Sequence, residues 1–250
     1  MIVGTGPGKL EYLTLRAKEA IEEAEVIVGY QRYLELIKPL IEGKRIYPGR
    51  MKEEVQRART AVGLALEGYK VALISGGDPG LYGMVAPVLE VLEAKGWRPG
   101  GPPELEIIPG VTAALAAAAR FGAPLSTDAA FISLSDQLEP WEVIAKRLRA
   151  AAEADFVIAL YNPRSRRRKK QFEKALAILK EVLPQDTPVG IAKGVFRENE
   201  RLILTNLREL VDYLEEIDMA TVILVGRRDT RILNAFLLTP RGYGQKYELD

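Results

Sequence analysis

The chain of 250 residues contains no cysteine and no histidine. The first absence excludes disulfides, thiolate metal sites and cysteine nucleophiles, and it suits a reducing interior. The second removes the commonest general base near neutral pH and the commonest metal ligand. A Ser-His-Asp triad and a histidine zinc site are therefore excluded, and no resident metal is expected. Proton transfer falls to Asp, Glu, Lys, Tyr, water or the substrate itself. No charge of one sign dominates. Lys and Arg number 35 against 34 Asp and Glu, a net charge of +1, so no whole-chain field points to nucleic acid or to an anionic membrane. No apolar run approaches about 18 residues, and no basic stretch leads into an apolar segment at the start. The expectation is a cytoplasmic protein with no membrane partner.

What is present is ordinary for a soluble globular protein with a sizeable core: 48% hydrophobic and 28% charged residues. Short apolar segments alternate with stretches of helical spacing. Strands are predicted over 1–6, 25–29, 69–75 and 105–108, and helices over 14–24, 33–41, 52–67 and 83–95. Gly68 and Gly96 stop the last two helices. The alanine-rich stretch 113–120 predicts a helix packed closely against a backbone. Strands are then predicted over 130–134, 156–161, 188–192, 200–205 and 221–226, helices over 141–152, 170–182 and 207–214, and an irregular tail over 239–243. This order predicts an α/β fold of two α/β domains, 1–115 and 116–250.

The chemistry-bearing loops follow predicted strands. Gly4-Thr5-Gly6-Pro7-Gly8-Lys9 has the look of a phosphate loop. A Walker A motif would need glycine at Val3 and a hydroxyl at Leu10, and the Rossmann pattern meets Lys9 where its third glycine belongs. Pro7 also removes an amide from any anion cradle. What remains is either a tight turn or a bare backbone against which a flat ligand can lie. Ser75-Gly76-Gly77-Asp78-Pro79-Gly80-Leu81-Tyr82-Gly83 occupies the carboxyl end of a buried strand, where open α/β sheets bind ligands, and Asp78 offers an acceptor for an amine or hydroxyl. Pro109-Gly110-Val111-Thr112 leads into the alanine-rich helix, with Thr112 placed to cap it. Two more loops, Ser133-Leu134-Ser135-Asp136 and Tyr161-Asn162-Pro163, follow strands of the second half. The run 164–170 carries six cations in seven residues. It reads as a solvated charged turn, a nucleic-acid contact, or a site for a polycarboxylate ligand.

In this order and spacing the motifs G-x-G-P-G, S-G-G-D-P-G-x-Y-G and P-G-V-T-A-A resemble those of the tetrapyrrole (corrin and uroporphyrinogen) methyltransferases. The segments 132–141, 154–165, 187–192 and 239–243 resemble the precorrin-3B C-17-methyltransferase branch, whose anaerobic counterpart acts on cobalt-factor III. The resemblance implies two α/β domains with the cofactor cleft between them, S-adenosylmethionine as methyl donor, a homodimer, and a tetrapyrrole substrate. On the anaerobic route that substrate carries cobalt. The implied reaction is methylation at ring carbon 17 with contraction of the macrocycle, a step toward cobalamin. The alternatives are another corrin methyltransferase of the same fold, a ribosomal-RNA methyltransferase, and a non-catalytic tetrapyrrole-binding protein.

Carried over by position, Gly76, Gly77, Asp78 and Leu81, with Tyr82, match the segment that contacts the methionine part of the cofactor. Thr112 and Ala113 match the next contact, Tyr161 and Asn162 a position beside the cofactor, and Val195, Thr239 and Pro240 the surroundings of the adenosine. Pro7 matches the proline that borders the tetrapyrrole and is counted with this set. The branch carries a histidine just before the aspartate that opens the second domain. Here the run is Leu125-Ser126-Thr127-Asp128, so the step that histidine serves would fall to Ser126, Asp128 or water, or be lost; Ser126 and Asp128 are the candidate catalytic residues. Arg16, Arg32, Arg50, Arg164 and Arg166 are the candidate clamps for the substrate's carboxylate arms.

Overall fold

The computed structural model describes residues 1–165 and 169–249. Arg166, one of the candidate clamps, and part of the basic run therefore lie outside the described residues. The chain divides into two compact units, Met1–Ala113 and Ala114–Asp250.

The first unit contains β1 (Ile2–Gly4), α1 (Leu15–Glu23), β2 (Val26–Tyr30), α2 (Gln31–Leu36), α3 (Lys38–Ile41), β3 (Arg45–Gly49), α4 (Glu54–Leu66), β4 (Val71–Ser75), α5 (Val85–Ala94) and β5 (Ile107–Ile108). Its sheet runs β3-β2-β4-β1-β5, with every pair parallel. A parallel sheet is covered on both faces, so its strands read as continuous apolar runs. The packing follows the pleat. Val26, Val28, Val71 and Leu73 join the core beneath α4 and α5, with Ala58, Val62, Val88 and Leu92. Ile27, Ala72 and Ile74 join the opposite core, with Ala17, Ile21, Leu34 and Ile41.

The second unit holds α6 (Ala113–Phe121) from its second residue on, then β6 (Gly122–Ala123), β7 (Ala129–Ser133), α7 (Trp141–Glu153), β8 (Val157–Tyr161), α8 (Lys170–Val182), β9 (Pro188–Lys193), β10 (Arg201–Asn206), β11 (Thr221–Val225), β12 (Arg231–Leu233), β13 (Phe236–Leu238) and α9 (Tyr243–Lys246). Its main sheet is mixed, in the order β10-β9-β11-β8-β7, with only β7 and β8 parallel. A small sheet β12-β13-β6 stands beside it.

Four local expectations change. The helix predicted over 33–41 breaks at Ile37 into α2 and α3, because Pro39 has no amide to continue the ladder. The helix predicted over 207–214 is a 3-10 turn, Glu209–Tyr213. β3 was not foreseen; Pro48 is tolerated there because β3 is an edge strand. The stretch 239–243, expected to be irregular, leads into the short α9.

Candidate functional site

At the carboxyl ends of β1, β4 and β5 three predicted loops are knitted into one surface. Gly6 and Gly77 exchange both main-chain hydrogen bonds, 3.1 and 2.9 Å, joining the first glycine-rich turn to the second. Gly77 takes φ +66°, open to glycine at little cost, and a Cβ there would lie 3.6 Å from the Cα of Thr112. A Cβ on Gly110 would overlap the carbonyl oxygen of Gly77. The glycines therefore serve the approach of main chain to main chain. They do not form a phosphate cradle.

Asp78 binds both neighbours. Its Oδ1 accepts the amide of Gly80 at 2.8 Å and its Oδ2 the amide of Gly110 at 3.1 Å. The acceptor foreseen for a ligand is thus a clasp between loops. A Cβ on Gly76 would lie 2.5 Å from the ring of Tyr33, which packs against this glycine. Pro7 and Thr112 are buried, Leu81 and Ala113 half-buried, and Tyr82 is exposed with φ +55°. A non-glycine residue in that region is strained, and such residues gather at ligand loops.

In the second unit the Tyr161 hydroxyl accepts the amide of Ala114 at 2.9 Å, which ties the end of β8 to the first turn of α6. Asn162, at φ +51°, donates from Nδ2 to Ser133 Oγ at 3.0 Å, so the loops after β7 and β8 are joined. Val195 is buried. Its neighbour Phe196 takes φ +58° and is held there by Glu200, whose carboxylate accepts the Phe196 amide at 2.8 Å and the Arg120 guanidinium at 2.8 and 3.1 Å. Nothing in the sequence singled out Glu200. Thr239 is fully buried and its hydroxyl donates to the carbonyl of Pro124 at 2.8 Å.

A polar cleft of about 580 Å³ in the second unit is lined by Ser126, Thr127, Asp128, Arg227, Asp229 and Pro240, among others. The Ser126 hydroxyl is turned onto the carbonyls of Thr239 and Ala123, so Asp128 is the exposed member of the predicted pair. Thr127 Oγ1 is buried and unpartnered. Arg227 holds Asp229 with two hydrogen bonds of 2.6 Å, which pulls the Asp229 carboxyl below the usual aspartate range.

Two of the predicted clamps are corrected. Arg16 sits at the opposite, amino edge of the first sheet and is saturated by Glu106 at 2.7 Å, Glu23 at 3.1 Å and Glu19 at 3.4 Å. Arg164 is buried and donates to the Leu214 carbonyl and to Glu215, which ties the loop after β8 to the segment after the 3-10 turn Glu209–Tyr213, while its Nε is buried without a partner among the described residues. Arg32 and Arg50 have no carboxylate within ion-pair distance among the described residues.

Comparison with known proteins identifies relatives of the chain. A cobalt-factor III methyltransferase of Priestia megaterium is 47% identical over 250 residues, 100% of this chain and 46% of that protein. A precorrin-3B C(17)-methyltransferase of a Sinorhizobium species is 43% identical over 97% of this chain and 96% of its own length. The chain spans about half the length of the Priestia protein and of a relative from Archaeoglobus fulgidus. Among solved structures, the methyltransferase CobJ superposes with a TM-score of 0.88 at 40% identity, over 96% of this chain and 98% of that one. A uroporphyrin-III C-methyltransferase of Thermus thermophilus complexed with S-adenyl homocysteine gives a TM-score of 0.67 at 25% identity, over 90% and 95% of the two chains. The sequence profile of the tetrapyrrole (corrin/porphyrin) methylases matches residues 1–211, and the chain belongs to that family.

Proposed function

We propose that this chain transfers a methyl group from S-adenosylmethionine to ring carbon 17 of precorrin-3B or cobalt-factor III, coupled to ring contraction, in the synthesis of cobalamin. The observation that carries the reading is the knot of loops at Gly6, Gly77, Asp78 and Gly110, a main-chain surface cross-linked by hydrogen bonds, with its aspartate spent on holding it. Bound S-adenosylmethionine supplies a methyl already activated on a sulfonium, so the protein need not provide an acid or a nucleophile. The loops 76–81 and 111–113, which present main chain at the carboxyl ends of β4 and β5, fit such a role. Gly76, Gly77, Leu81, Tyr82, Thr112 and Ala113 hold the methionine part, and Asp78 serves them by fixing the loop through the amides of Gly80 and Gly110. Tyr161, Asn162, Val195, Thr239 and Pro240 hold the remainder, and Pro7 borders the macrocycle. Alignment of carbon, methyl and sulfur then supplies the rate.

Incubation with S-adenosylmethionine and either tetrapyrrole, followed by mass and absorption spectra, tests the reading. A gain of one methyl with the spectrum of a contracted ring is expected, and no gain with either substrate would refute it. Thr127 favours a second reading of the last step. With no imidazole in the chain, contraction falls to Asp128, Ser126 or water, or stops short, and a methylated but uncontracted product would identify the latter.

No helix among the described residues is long and apolar enough to cross a membrane. A cytoplasmic homodimer completes the proposal. The exposed Ile232, Leu233 and Phe236 of the β12–β13 hairpin offer apolar surface for it, and light scattering on the purified protein checks the mass.

A further inference from the structure

We propose that Arg57 is the buried positioning residue of an anion-recognition edge, completed by Arg32 and Arg50 at the carboxyl ends of β2 and β3, that receives the carboxylate arms of the macrocycle. The identity of the anion rests on the function proposed above; the edge itself rests on the geometry that follows.

Arg57 lies on α4 and is only 7% exposed. A guanidinium held there is costly unless it is well paired, and this pairing is incomplete. Nη1 donates to the carbonyl of Arg50 at 2.6 Å. Nη2 reaches Glu54 at 3.4 Å and the sulfur of Met84 at 3.8 Å. Nε is buried with no partner. Glu54 is itself half exposed, and the same oxygen also accepts the amide of Lys52 at 3.2 Å. The other nearby carboxylate, Glu53, is taken by the amide of Arg50 at 2.6 Å. Positive charge therefore survives at this edge.

The backbone concentrates it. Tyr30 and Gly49 are paired across β2 and β3, so Arg50, directly after β3, and Arg32, in the first turn of α2, follow the ends of adjacent strands. A Cβ on Gly49 would lie 2.7 Å from Cγ and Cδ of Arg57, so the arginine stem lies against the last residue of β3. Its guanidinium carbon stands 6.0 Å from the Tyr30 ring centroid. Arg57 thus lies against the end of β3 and near the last residue of β2. It also touches Met84, which directly precedes α5 and follows the loop that carries Gly76 to Tyr82. Exposed guanidinium groups free of carboxylates pair with planar carboxylates in forked geometry. Arg57 fixes the main chain that presents one of them.

The test uses the full chain and the variants Arg57→Met, Arg57→Lys and Arg50→Gln. Uroporphyrin III, a polycarboxylate macrocycle, is titrated by absorbance and S-adenosylhomocysteine by calorimetry. Arg57→Met and Arg50→Gln are expected to weaken porphyrin binding roughly tenfold, the loss of one charge-assisted hydrogen bond. Affinity for S-adenosylhomocysteine should stay unchanged, and the salt dependence of porphyrin binding should flatten. Arg57→Lys, which keeps the charge and loses the fork, should fall between. If Arg57→Met does not fold, the other two variants decide. Unchanged porphyrin affinity in both, equal weakening of both ligands, or no porphyrin binding by the wild type overturns the proposal. A wild type that binds porphyrin and not S-adenosylhomocysteine overturns the methyltransferase reading, and the porphyrin arm still decides this one.

Discussion

The two edges of the first sheet treat charge in opposite ways. At the amino edge Arg16 gathers Glu106, Glu23 and Glu19, and Lys70 reaches Glu23 at 2.6 Å. Cations and carboxylates there neutralise one another in solvent. At the carboxyl edge the close contacts are made by main chain, the aspartate is consumed by amides, and Arg32 and Arg50 keep their charge. The same residue type is thus structural at one edge and available at the other. Arginine by itself indicates nothing about function; what decides is whether the fold has already supplied its partner.

The contrast breaks most completely at Gly110. In Gly110→Ala the new methyl meets the carbonyl of Gly77, with the Gly4 carbonyl carbon 2.9 Å away, and backbone cannot yield as a side-chain tip can. Overpacking of this kind costs about 1–3 kcal/mol of stability. Calorimetry should find binding of S-adenosylmethionine lost as the loops separate. Next comes Asp78→Ala, which frees the amides of Gly80 and Gly110. Hydrogen bonds to a charged group are worth about 1.5–3 kcal/mol each, so a tenfold or larger rise in the cofactor Kd is expected. Normal affinity in that variant would show that cofactor binding does not depend on the clasp.

The smallest effect belongs to the amino edge. Arg16→Gln should lower Tm only slightly, because exposed pairs contribute little. Its signature is in the pH dependence. Hydrogen bonds from Arg16 hold the Glu106 carboxyl below the usual glutamate value of 4.5, and Lys70 first and Arg16 second do so for Glu23. The unfolded chain then binds more protons than the native one in that range. The stabilisation is present above the ordinary glutamate value and is lost as pH falls through the lowered native values. Thermal melts of Arg16→Gln should show a flatter acid limb than the wild type, and an unchanged limb would deny the network its role.

Much of this was legible in the chain itself. The strand cores of β2, β4, β8 and β11 are short apolar runs between helices of clear period, and they fold as such because both faces of their sheets are covered. The family was legible in G-x-G-P-G, S-G-G-D-P-G-x-Y-G and P-G-V-T, since loops that must approach one another at backbone distance admit few residues. β3 was not legible, because an edge strand needs less apolar sequence than a central one. The small sheet β12-β13-β6 was missed for a related reason: its strands are two or three residues long, too short to show a period.

The sequence by itself determined the apolar periods, the turn glycines, and the absence of any imidazole or thiol, because these depend only on which residues are present and at what spacing. The tertiary structure alone decided that Asp78 clasps two loops, that Arg16 meets three glutamates, that Arg164 binds the Leu214 carbonyl and Glu215, and that Arg57 and Glu200 each join separate segments. The physical reason is that a charged group's role depends on the partners folding brings to it. Glu106 lies 90 positions from Arg16, and no local pattern encodes that encounter.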